Sequence, residues 1–203
     1  MFGVVRLVFW IGLLFVGLFV MNKSKLSHKK QYVIAIGIII IVLWVLSNLI
    51  PIENFFVTFS SPEDAFNYVN SEDVKLVIQG KNSDFVIGER DSTNFVYMII
   101  PKNENGWKIG RGLDTKLRMQ KMHNGIFINV YQYKNTGDYY LVVSGASGSK
   151  LQIKDSLDSQ FLYFENINNK TSETYITYYA SIFKIDAQYW INIDGEEIHL
   201  FNE

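Results

Sequence analysis

The chain has no cysteine in its 203 residues, which excludes a disulfide framework, thiol catalysis and a lipid-modified N-terminal cysteine. It has no aspartate or glutamate before Glu53, so all 20 acidic residues follow Ile52. No alanine precedes Ala35, and an Ala-x-Ala-like signal-peptidase site near Met21 is therefore missing. Proline is scarce: only three occur, and Pro51 and Pro62 fall where one helix should stop and another should start.

The acid-free stretch is apolar. Phe2 to Met21 and Tyr32 to Ile50 are two runs of the length that crosses a hydrocarbon core of roughly 30 Å as a helix. The alternative for the first run is a cleaved signal peptide, because Arg6 precedes a short apolar stretch; the missing cleavage site argues for two retained spans. Arg6 sits near one end, from which a long side chain can reach the interface.

Residues 22–31, NKSKLSHKKQ, carry Lys23, Lys25, Lys29 and Lys30 with no acid among them. Short loops rich in lysine stay on the cytoplasmic side. These four residues are therefore expected to set topology, with the loop inside and both flanks outside the cytoplasmic membrane. The lipid bilayer is the first expected partner.

Residues 53–203 then form an extracytoplasmic domain. It holds 14 Lys and Arg against 20 Asp and Glu, a formal charge of −6, which disfavours nucleic acid and anionic lipid as partners. A chain of this length buries enough surface to need no covalent staples.

Ser61-Pro62-Glu63-Asp64 predicts a helix start, with Ser61 as cap, Pro62 in the first turn and two acids at the positive dipole end. From Val74 onward the chain reads as short strands rich in β-branched and aromatic residues, bounded by Gly, Asn, Asp or Ser. Asp194-Gly195 predicts a tight hairpin, and Asn135 to Asp138 a slightly longer one. The expected fold is two transmembrane helices followed by a mainly β domain with one short helix, the strands forming an antiparallel meander, a barrel or a sandwich. In the last hairpin the isoleucines should be buried, leaving Glu197 and His199 wet.

No reaction can be assigned from the residues. A Gly-x-Ser-x-Gly elbow is absent, and His28, His123 and His199 lack the spacings zinc requires. No catalytic residue, metal ligand or cofactor is expected. Eleven of the 12 tyrosines lie after Ile52. Rigid amphipathic rings suit recognition surfaces as well as strands, so Tyr140, Tyr179 and Trp190 are candidate partner-binding residues. Residues 110–125 are the least regular stretch and contain the basic residues Lys116, Arg118 and Lys121. They read as a solvated connector or edge strand guarded by lysine, or as a partner site.

Ser61 to Phe66, Gly106 to Ile109, Val130 to Lys134 and Tyr189 to Ile198 together resemble uncharacterised membrane-anchored proteins of Gram-positive bacteria. That resemblance implies a location in the cell envelope and carries no catalytic residue. The expectation for function is a non-enzymatic binding or sensing module facing an envelope protein, peptide or wall component. The alternative is an accessory subunit or immunity-type protein acting through its helices on another membrane protein, and an enzyme is the third class.

Overall fold

A computed structural model describes residues 2–23, 29–49, 51–91, 94–111, 114–146, 150–167 and 174–201. The chain divides into two compact units, Met1–Thr58 and Phe59–Glu203.

The first unit contains helices α1 (Phe2–Lys23) and α2 (Lys29–Leu49), followed by a short 3-10 turn, Ile52–Phe55. Pro51 separates α2 from that turn, as its missing N–H requires. Among the described residues no helix is long and apolar enough to cross a membrane. The stretches with described side chains, 5–19 and 33–45, fall short of the roughly 20 residues a span needs. The expected transmembrane spans are therefore a proposal and not a feature of the fold. Within this unit Arg6 Nε donates to Glu53 Oε1 at 2.8 Å, and Glu53 is fully buried.

The second unit is mainly β. Helix α3 (Pro62–Val69) is capped as expected, the Asp64 N–H donating to Ser61 Oγ at 3.0 Å. Twelve strands follow: β1 (Asp73–Gln79), β2 (Ser83–Asp91), β3 (Asn94–Asn103), β4 (Gly106–Trp107), β5 (Thr115–His123), β6 (Ile126–Tyr133), β7 (Asp138–Ala146), β8 (Ile153–Asp155), β9 (Leu162–Ile167), β10 (Thr174–Phe183), β11 (Trp190–Ile193) and β12 (Glu196–His199). They form three antiparallel sheets, ordered β1-β2-β3-β4, β5-β6-β7-β10-β9 and β12-β11-β8. The meander holds within the first sheet. It breaks after β7, where β8 leaves for the third sheet and β10 inserts between β7 and β9.

The three sheets and the helix stack in layers. Ala65 and Phe66 of α3 cover Val86 and Ile100 on one face of the first sheet. Its other face, through Ile78, Phe85, Ile87 and Ile99, meets Tyr133, Tyr140, Val142 and Tyr179 of the second sheet. The opposite face of the second sheet packs Leu141, Val143, Ile176 and Ile182 against Ile191, Ile193, Ile198 and Leu200 of the third. The second sheet thus has cores on both faces, which is why β7 reads as an almost continuous apolar run instead of an alternation. Glu197 and His199 are exposed beside buried Ile198, as the last hairpin's pattern predicts.

Two turns fix the hairpins that matter below. Asp194 and Gly195 both have positive φ, 52° and 93°, and so do Asn124 and Gly125, 49° and 78°. That geometry matches the twist of the flanking strands and favours Asn, Asp and Gly. The Asn124-Gly125 turn makes residues 115–133 a hairpin, so the irregular basic stretch is an edge strand, β5.

Candidate functional site

Strand β5 is one edge of the second sheet, and its pairing with β6 shifts register between Leu117 and Met119. Such a bulge leaves one residue without a ladder partner and re-aims its side chain. Here that residue is Arg118. It lines a cleft of about 230 Å³ together with Tyr139, Ile185, Asp186, Ala187 and Phe201. Tyr139 comes from the start of β7, residues 185–187 from the connector between β10 and β11, and Phe201 directly follows β12. Gln132 Nε2 donates to the Tyr139 hydroxyl at 3.0 Å, and Gln188 N–H donates to Asp186 Oδ1 at 2.9 Å.

The three predicted basic residues do different things. Lys116 Nζ donates to Asn135 Oδ1 at 2.9 Å, and Lys121 Nζ to the His199 carbonyl at 3.1 Å. Arg118 makes neither a hydrogen bond nor an ion pair among the described residues. The other two arginines of this unit each face an acid: Arg90 Nη2 lies 3.0 Å from Glu72 Oε1, and Arg111 Nε lies 3.4 Å from Asp114 Oδ2. Arg118 is the exposed cation of the cleft.

The aromatic surface expected from sequence is corrected. Tyr140 and Tyr179 are 0% and 1% exposed and lie between the first two sheets, so neither can face a partner. Adjacent strand residues point to opposite faces, and here both faces are covered. Phe85 stacks on Tyr140 with ring centroids 5.1 Å apart. Burial pushes the phenols of Tyr140 and Tyr179 well above their usual range. Trp190 is half-buried on β11. Of the expected topology-determining lysines, Lys25 lies outside the described residues; Lys23 ends α1 and Lys29 and Lys30 begin α2, with their side chains outside the described set.

Sequence reasoning missed a buried carboxylate network at the β1–β2 turn. Asp138 accepts from the Asn82 N–H at 2.6 Å, the Lys81 N–H at 3.3 Å and Ser83 Oγ at 3.0 Å. The Tyr140 hydroxyl donates to the Ser83 carbonyl at 2.7 Å. Asp84 accepts from Trp107 Nε1 at 2.5 Å and Gly80 N–H at 3.2 Å, with Lys102 Nζ at 3.3 Å. Both carboxylates are 1% exposed. With their lone pairs occupied and water excluded, Asp138 fastens the first sheet's turn to β7, Asp84 ties that turn to β3 and β4, and neither offers an oxygen to a substrate.

Two further acid–base contacts lie on the surface, His123 Nε2 to Glu196 Oε1 at 2.9 Å and His199 Nε2 to Glu197 Oε1 at 3.1 Å. Among the described residues no group of three or more His, Asp or Glu side chains is placed to hold a metal ion. Compared with known proteins, the chain matches no family model, no curated protein and no solved structure.

Proposed function

We propose that this protein is a two-span membrane protein displaying its β unit outside the cytoplasmic membrane as a non-enzymatic binding or sensing module. The observation that carries the location is the surface of the two helices. Leu7, Phe15 and Phe19 on α1 and Ile34, Ile41 and Trp44 on α2 are each more than half exposed, a surface that water penalises and lipid accepts. The helices run 22 and 21 residues, about 32 Å at 1.5 Å per residue, and Arg6 is the only charged side chain described in either. The lysines between them orient the hairpin inward.

The recognition surface in this reading is the β5 edge and its hairpin. Leu117, Met122 and Phe127 are exposed there, at 51%, 66% and 47%, on the face of the second sheet opposite the Arg118 cleft. An exposed apolar patch on an acidic unit suits an envelope protein, a peptide or a wall component better than it suits nucleic acid, which that charge repels. The test is binding of envelope extracts to the intact chain and to a variant carrying Leu117→Ser, Met122→Ser and Phe127→Ser. Equal binding by both would remove this surface from the account.

A second reading, an accessory or immunity-type subunit acting through the helices, is supported by a separate observation. Glu53 Oε2 is buried with no hydrogen-bond partner among the described residues. A donor from another membrane protein would satisfy it. Pull-down of a membrane partner that is lost in Glu53→Ala and retained in the triple-serine variant would favour this reading over the first.

A further inference from the structure

The cleft beside β5 combines three properties. Its cation, Arg118, is pushed out of the ladder by a bulge and lacks an acid partner, although the other two arginines of the unit each have one. Its acid, Asp186, uses Oδ1 to accept the Gln188 N–H, and its Oδ2 accepts no hydrogen bond among the described residues. Its walls are apolar: the Tyr139 ring, Ile185, Ala187 and Phe201. Arg118 and Asp186 line the same cleft, yet they form no ion pair with each other among the described residues, so each leaves its charge to an occupant.

A guanidinium presents a planar fork of donors that matches a carboxylate, and a free carboxylate oxygen accepts from an ammonium. The volume of about 230 Å³ lies below the roughly 300–1,000 Å³ of sites for larger ligands, which limits the apolar body to one side chain. A simple monoanion would leave Asp186 opposing it, and a simple amine would leave Arg118 opposing it. We propose that this cleft binds an apolar α-amino acid in its zwitterionic form, with the carboxylate on Arg118, the ammonium towards Asp186 and the side chain against Ile185, Ala187 and Phe201. The proposal deepens the binding-module reading and rests on it for access from outside the cell.

The experiment is titration calorimetry of the full chain in lipid nanodiscs with L-leucine and L-phenylalanine. N-acetyl-L-leucine, which lacks the ammonium, and L-leucinamide, which lacks the carboxylate, serve as blocked probes. Saturable binding of leucine or phenylalanine is expected, weakened at least about tenfold by Arg118→Gln, as loss of a charge-assisted pair implies. Asp186→Asn and both blocked probes should weaken it as well. No binding at millimolar ligand, equal binding by Arg118→Gln, or equal binding of either blocked probe would overturn the proposal. Because the titration does not depend on which side the β unit faces, absent binding with an outward-facing unit overturns the ligand alone. Leucine binding with an inward-facing unit upholds the ligand and overturns the location.

Discussion

Arg6 Nε donates to Glu53 Oε1 at 2.8 Å, joining the only charge described in the first helix to the first acidic residue of the chain. Two residues 47 positions apart thereby hold the start of α1 against the turn that follows α2. A lone arginine in an apolar helix is costly unless it is paired or reaches water, and Glu53 supplies the pair. The start of α1 and the turn after α2 therefore lie side by side.

Removing one member of that pair should destabilise the first unit more than removing both. Glu53→Ala removes the carboxylate that faces a largely buried guanidinium, a change that costs about 3–5 kcal/mol for buried pairs. Arg6 can partly recover by turning its long side chain towards more polar surroundings. The double variant Arg6→Leu with Glu53→Leu should regain part of the loss. A double-mutant cycle on unfolding of the full chain in micelles checks this, and strict additivity would show that the two groups do not interact.

The buried network at the β1–β2 turn predicts a graded series. Asp138→Ala strands the donors of Lys81, Asn82 and Ser83 and should cost about 3 kcal/mol, while Tyr140→Phe removes one hydroxyl and should cost about 1.5 kcal/mol. Urea unfolding of the β unit within the full chain, followed by tyrosine and tryptophan fluorescence, orders the two. A larger loss in Tyr140→Phe than in Asp138→Ala would contradict the assignment of Asp138 as the network's centre.

Alkaline pH should unfold the β unit. Burial raises the phenols of Tyr140, Tyr179 and Tyr189, and the nearby Asp155 carboxylate adds to the rise at Tyr189. Below pH 10 both folded and unfolded chains keep these protons, so the contribution is fully present. Above pH 10 the unfolded chain releases them while the folded chain retains them, and stability falls as pH rises. Each tyrosine contributes up to about 1.4 kcal/mol per pH unit. Tyr189→Phe should therefore flatten the slope of stability against pH above 10, whatever it does to stability at pH 7; an unchanged slope would remove Tyr189 from the effect.

Gly88 predicts a packing effect. A Cβ built there would stand 2.5 Å from Phe66 Cζ, so Gly88→Ala must move the Phe66 ring or the helix that carries it. Overpacking of this kind costs about 1–3 kcal/mol. Pairing it with Phe66→Leu should recover part of the loss, and thermal unfolding of the two variants distinguishes this from a general intolerance of side chains in β2.

Much of this architecture is legible in the sequence because its signals are local. Ser61-Pro62-Glu63-Asp64 announces α3, and Asp194-Gly195 announces the last hairpin with both residues at positive φ. Strand β5 is legible only as one of two readings, a connector or an edge strand, because its residues alternate poorly around the Arg118 bulge; the Asn124-Gly125 dipeptide that closes its hairpin is the signal that decides for the strand. The stacking of three sheets is not local at all. Nothing in Ile153–Asp155 states that it will pair with β11 instead of β7, since both are apolar strands of suitable length. The burial of Tyr140 and Tyr179 follows from that stacking, because the usual expectation of one dry and one wet face fails for a sheet covered on both sides. The Arg118 cleft is likewise assembled from four separate segments that only the fold brings together.

The central claim is the side of the membrane on which each unit lies, and the absence of native cysteine makes it directly measurable. Single cysteines at Ser24, between the helices, and at Glu104, exposed in the turn between β3 and β4, can be labelled in intact cells with a membrane-impermeant maleimide. The account predicts labelling at position 104 and none at position 24 until the membrane is opened. Labelling at 24 with protection at 104 would place the β unit in the cytoplasm and contradict the account.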